Sequence, residues 1–181
     1  MKMPSLLSFV VLLSLLCLLP LVSAASNSSD LATKTAVFLS APSFAVVGAS
    51  GDESKFGTIV FKTMLEQGLN AVPINPFVSE SEGIPCLDTL ASLPDPAHTS
   101  ISIVTQPTVT LQILQQASAL GILAVWIQPG AQDETVLQFI NSTTDRTTYI
   151  YTPTTTTSIT GPCLFANPAM PDLISTLQGL A

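Results

Sequence analysis

The chain has 181 residues, 47% of them hydrophobic and only 9% charged, with a formal net charge of −7. That length suits one domain, and the acidic balance excludes the basic footprint of a nucleic-acid binder and argues against docking on anionic membranes. Few charges among many Thr, Ser and Pro predict a soluble domain with a large apolar core and a neutral polar surface.

Lys2 gives a short positive start, Leu6 to Leu19 is nearly all apolar, Pro20 breaks the run, and Val22-Ser23-Ala24 offers small residues to a peptidase. This layout predicts a secretory signal peptide over residues 1–24. Its apolar run is short of the about 20 residues a membrane helix needs, so cleavage leaves no stable membrane span; a retained signal anchor is the alternative. After cleavage Lys34, Lys55, Lys62 and Arg146 face 12 acidic residues, a net charge of about −8. The leader implies the secretory pathway or the cell exterior; without a working leader the protein stays cytoplasmic. Cys17 leaves with it. Cys86 and Cys163 remain, either as a bridge or as two separate buried thiols. Asn27-Ser28-Ser29 and Asn141-Ser142-Thr143 fit the glycosylation pattern.

Residues 25–40 read as a polar segment and a short helix capped by Asp30, and residues 41–181 as the domain proper. Phe44 to Gly48 is short, apolar and β-branched, which predicts a strand buried on both faces. Ile59, Val60, Met64 and Leu65 follow at helical spacing, and Gly68 closes that helix. Ala71 to Ile74 is a second strand, and Pro73 within it requires a position without a donor partner. Phe77 to Asp95 reads as irregular apart from a short helical piece around Asp88 to Ser92. Ser100 to Val104 is a third strand. Pro107 suits the first position of the next helix, Val109, Ile113, Ala117 and Leu120 share one face of it, and Gly121 ends it. Leu123 to Ile127 is a fourth strand with Trp126 in the core, Asp133 to Phe139 a short helix, and Tyr149 to Tyr151 an edge strand. Cys163 to Phe165 completes the set as a last short strand.

Short buried strands alternating with helices require parallel pairing, because each crossover is long and helical. The expected fold is therefore α/β: a Rossmann-like, doubly wound, mainly parallel sheet with helices on both faces. Ligands of such sheets bind beyond the carboxyl ends of the strands. Gly48 to Gly57, Asn75-Pro76, Thr105 to Pro107 and Gln128 to Gly130 converge on that rim. A glycine-rich loop entering a helix offers free N–H groups and the positive dipole end to a phosphate. The dinucleotide fingerprint is broken, since Ser50 stands at its middle glycine and Asn75 at the acidic position ending the second strand. A Walker loop fails for want of G-K-[ST]. What survives is Gly48, the Ser50 hydroxyl and Lys55, with Asp52 and Glu53 beside them as helix caps.

The stretches "FAVVGAS…SKFG…VF", "VPINP", "GIPCLDTLASLP", "SISIVTQP" and "AVWIQPG", in this order, resemble the small stand-alone CoA-binding domain proteins of bacteria and fungi. That domain is similar to the N-terminal domain of the succinyl-CoA synthetase alpha subunit. The resemblance covers roughly Ala36 to Asn141. It implies a CoA-type nucleotide as the small-molecule ligand, with Gly48, Ala49, Ser50 and Lys55 at phosphates and Asn75 and Pro76 on the adenosine side. It further implies Thr105, Gln106 and Pro107 under the ligand, and Gln128, Pro129 and Gly130 closing its far side. Bacterial members often carry a basic residue after "NP", where this chain has Phe77; that loss should weaken a phosphate-rich ligand by about 1–3 kcal/mol.

No catalytic constellation stands out. His98 precedes the third strand, on the edge away from the ligand, and Cys163 lacks a second histidine to serve it. Cys86 lies near a ligand loop and is the one candidate for a redox or thioester-linked role. Asp133 and Glu134 favour the dipole of the helix they open. The sequence leans away from an enzyme and toward a binding module for CoA or acyl-CoA. An NAD(P)-dependent oxidoreductase with an irregular loop, and a secreted fold that has lost its ligand, are the alternatives.

Overall fold

The computed structural model describes residues 30–151. Two units divide the chain, Met1–Thr33 and Lys34–Ala181, and the sheet lies in the second. The predicted leader, Cys17, Asn27, Cys163 and the strand expected near it lie outside the described residues. No helix among the described residues is long and apolar enough to cross a membrane.

Helix α1 covers residues 30–39, so Asp30 is itself helical rather than a cap. Then follow β1 (Ser43–Val47), α2 (Phe56–Glu66), β2 (Ala71–Ile74), β3 (Glu80–Ser81), β4 (Ile84–Pro85), β5 (Thr99–Ile103), α3 (Pro107–Leu120), β6 (Ala124–Ile127), α4 (Glu134–Ser142) and β7 (Thr148–Ile150). The main sheet has the order β2-β1-β5-β6-β7, and every pairing in it is parallel. Counting only those strands, the order is 2-1-3-4-5, a doubly wound sheet whose direction of growth reverses between β1 and β5. Pro73 is accommodated because β2 is an edge strand. On its outer side the contact runs through the Pro73 carbonyl, which accepts from Leu87 N–H at 2.9 Å.

The pleat sorts side chains onto two faces. Ala45, Val47, Ile101, Ile103, Val125 and Ile127 form one buried cluster with Leu114 and Ala117 of α3 and Val136 of α4. Phe44, Val46 and Trp126 alternate with them in register and face the other way. There Phe38 of α1 packs edge-to-face on Trp126, with ring centroids 5.5 Å apart, and tilted on Phe44 at 5.6 Å.

Helix ends follow local chemistry. Pro107 is the first residue of α3, and Gly121 closes it in the left-handed conformation at φ 69°. The Asp133 carboxylate caps α4 by accepting from Val136 N–H at 3.0 Å. α2 differs from expectation. Its N-cap is Lys55, no side chain caps it, and its first turn carries no acid. Asp52 instead accepts from both the N–H and the hydroxyl of Ser54, at 2.9 and 2.7 Å. The segment expected to be irregular holds the β3–β4 hairpin, turning through Glu82 and Gly83. Two-residue strands with glutamate and proline in them carry no alternating apolar pattern, which is why the pattern rule passes over them.

The start of α2 sits hard against the end of β1. A Cβ on Gly57 would collide with the Gly48 carbonyl oxygen, and one on Gly48, at φ +96°, would lie 2.8 Å from the Val104 carbonyl. At the far edge, Asp145 anchors β7: its carboxylate accepts from Tyr149 Oη at 2.7 Å and from Thr147 N–H at 3.1 Å. Burial raises the Asp145 pKa, but hydrogen bonds from Ser118, Tyr149, Thr147 and Thr143 outweigh it and hold the carboxyl below its ordinary value. Burial and the same carboxylate push the Tyr149 phenol up.

Two outcomes follow. Gly57→Ala should lower the unfolding free energy by about 2 kcal/mol or more, as overpacking against a backbone does; the urea midpoint measures it. A carboxyl whose folded pKa is depressed adds stability that is present above its unfolded pKa and lost as pH falls through the folded value. Asp145→Asn should therefore be less stable than the parent at pH 7, with the gap closing toward pH 3 in denaturant titrations.

Candidate functional site

Where β1 and β5 diverge at the carboxyl rim, the 2-1-3-4-5 order leaves a crevice. The ladder runs right up to it: Gly48 N–H donates to the Ile74 carbonyl and Val104 N–H to the Val47 carbonyl, both at 2.9 Å, and Gln128 N–H to the Ile103 carbonyl at 3.0 Å. A cavity of about 830 Å³ opens there, and its wall includes Gly48, Asn75, Pro76, Thr105, Gln106, Pro129 and Gly130. The four predicted rim segments therefore meet in one cavity of ligand size.

The remaining expected residues are placed otherwise. Ala49, Ser50, Lys55, Pro107 and Gln128 do not line that cavity. The first loop explains Ala49 and Ser50, whose backbone is held by other elements. Asn75 Nδ2 donates to the Ala49 carbonyl at 2.6 Å, and the Ser50 carbonyl accepts from Thr58 Oγ1 at 2.9 Å and Ser81 Oγ at 2.6 Å. Thr58 and Ser81 are buried, so the loop is braced before any ligand arrives. Gln128 shares its sheet face with Trp126, opposite α3. Its side chain is buried, and Nε2 donates to Ser102 Oγ at 2.9 Å. Lys55 is exposed at the first turn of α2.

Residues of α3 and of the segments after β1 and β2 complete the wall. Val109, Gln112, Ile113 and Gln116 line it at i, i+3, i+4 and i+7, one stripe of α3. The expected shared face of Val109, Ile113, Ala117 and Leu120 divides: Val109 and Ile113 line the cavity, whereas Thr110, Leu114 and Ala117 are buried. Phe56 and Phe77 flank the cavity, and both are exposed, Phe77 at 94%. Asp88 and Thr89 join them from the segment after the hairpin.

The electrostatics are unusual for a phosphate site. Among the described residues that line the cavity, Asp88 is the one charged side chain. Positive potential comes from the backbone. Both α2, beginning at Phe56, and α3, beginning at Pro107, start beside the cavity without a side-chain cap, leaving the N–H groups of Phe56, Gly57 and Thr108 without helical acceptors, while Thr58 and Val109 donate to the Lys55 and Gln106 carbonyls. Cys86 stands apart from the wall. It is a free thiol, and burial together with Glu80 pushes its pKa up, which disfavours the thiolate that redox or thioester chemistry needs. His98 is exposed at the opposite rim, with Nδ1 2.9 Å from Asp95 Oδ2.

Comparison with known proteins agrees with this arrangement. Residues 42–152 match the CoA binding domain family. A conserved hypothetical protein of Pyrococcus furiosus is 33% identical, with a TM-score of 0.53 over 59% of this chain and 91% of its own. A Thermus thermophilus protein is 25% identical, with a TM-score of 0.53 over 62% and 85%. A hypothetical protein of Pyrococcus horikoshii, 22% identical, shares the fold with a TM-score of 0.58 over 79% and 88%. The comparison with curated proteins returned no match. With the family's motifs in order and its sheet in place, the chain belongs to the CoA binding domain family.

Proposed function

We propose that this protein is a binding module for CoA, acyl-CoA or a closely related adenine nucleotide, without catalytic machinery of its own. The observation that carries the reading is the cavity at the β1/β5 divergence with two uncapped helix N-termini beside it. In this reading the diphosphate lies between Gly48 and Gln106, where backbone N–H groups and two dipole ends supply the positive field. The base stacks near Pro76 and Phe77, and the remainder of the ligand runs along Val109 and Ile113 toward Gly130. A leader over residues 1–24 would carry the module into the secretory route.

Thermal unfolding with CoA, acetyl-CoA, NAD and NADP tests this. A ligand at one hundred times its dissociation constant adds about 2.7 kcal/mol, which raises Tm by about 5–10 °C for a chain of this size. A shift with CoA and acetyl-CoA but none with NADP is expected. A shift with NADP alone would favour an oxidoreductase, and no shift with any of the four would leave a fold without its ligand.

Lys55 sits outside the wall, so its contribution is long-range attraction to the diphosphate. Lys55→Ala should weaken CoA binding about two- to fivefold at low salt, with the difference fading as salt rises. Unchanged affinity at low salt would remove Lys55 from the site.

A further inference from the structure

Doubly wound nucleotide sites place an acid at the end of the second strand, where it accepts hydrogen bonds from the ribose hydroxyls. Asn75 stands at that position here, and its amide is already committed. Nδ2 donates to the Ala49 carbonyl at 2.6 Å, and Oδ1 accepts from Phe77 N–H at 3.0 Å. The structure supplies an acid from elsewhere. Leu87 forms a parallel bridge to Ile74, and Asn75 N–H donates to the Leu87 carbonyl at 2.9 Å. The segment after the hairpin thus runs beside β2 as a short outer strand. Asp88, one position past the bridge, comes level with Asn75 and lines the cavity.

Within the described residues the Asp88 carboxylate has no ion pair and no hydrogen bond that would occupy it. It shares this arm of the cavity with Pro76 and the exposed Phe77, apolar surfaces suited to the flat face of a base. A ribose joined to that base would present its vicinal hydroxyls to the carboxylate, which can accept from both. A phosphate on either hydroxyl would instead bring a second anion against Asp88, with no cationic side chain of the described cavity wall to offset it.

We propose that Asp88 accepts both ribose hydroxyls of the bound adenine nucleotide, and that the site thereby selects nucleotides whose adenosine ribose is unphosphorylated: ADP or dephospho-CoA over CoA. This rests on the reading of the cavity as an adenine-nucleotide site.

Titration calorimetry of the full chain with ADP, dephospho-CoA and CoA at fixed low salt decides it. Dephospho-CoA should bind about tenfold or more tightly than CoA, from which it differs only by the 3′-phosphate. Asp88→Asn, at an exposed position, should keep the parent Tm, weaken dephospho-CoA about tenfold and bring the two affinities within about threefold of each other. CoA binding as tightly as dephospho-CoA, or a preference unchanged by Asp88→Asn, would overturn the selection while leaving the nucleotide site standing. No binding by any of the three would overturn both.

Discussion

The contact between Gly57 and the carbonyl of Gly48 governs the geometry of the rim. No side chain fits between them, so the first turn of α2 comes down onto the end of β1. A helix held that close delivers its unbonded N–H groups to the switch point of the sheet rather than to open solvent. The same approach demands the positive φ of Gly48, because the chain must leave β1 under the Val104 carbonyl. Two glycines at these positions do what a longer loop with bulkier residues could not.

The brace around that turn is made by polar side chains from distant elements. Asn75, Thr58 and Ser81 satisfy the carbonyls of Ala49 and Ser50, and buried carbonyls without such donors would cost about 1–3 kcal/mol each. Residues that look like ligand contacts in a linear motif are therefore partly structural. Asn75 touches the cavity but has committed its amide to the loop, and Ser50 is held within the loop itself. The cavity is consequently ready-made, and little ordering is left for a ligand to impose.

Its electrostatic character follows from an acidic, charge-poor chain. Among the described residues the wall bears one carboxylate and glutamine amides, with apolar groups between them. Attraction for an anion then rests on backbone dipoles at two helix starts, which act only within about a turn of the helix end. On the proposed reading such a field suits one diphosphate near the switch point and gives no support to further phosphates elsewhere in the cavity.

Much of this architecture was legible locally. Short β-branched runs, helical spacing, Pro107 at a helix start and Gly121 at a helix end all act within a few residues, so the alternation of strands and helices, the parallel sheet and the four rim segments could be read along the chain. Trp126 belonged in the core for the same reason. Periodicity states which residues share a face but not what covers that face. Only the packed sheet decided that the stripe of Val109 and Ile113 faces the cavity while Leu114 and Ala117 face the core. Only pleat parity turned Gln128 to the far side with Trp126. Asp88 reaches the end of β2 through a bridge between Ile74 and Leu87, a pairing across a hairpin too short to announce itself. Contacts of that kind are set by where separate segments meet in space, and no local pattern of residues encodes them.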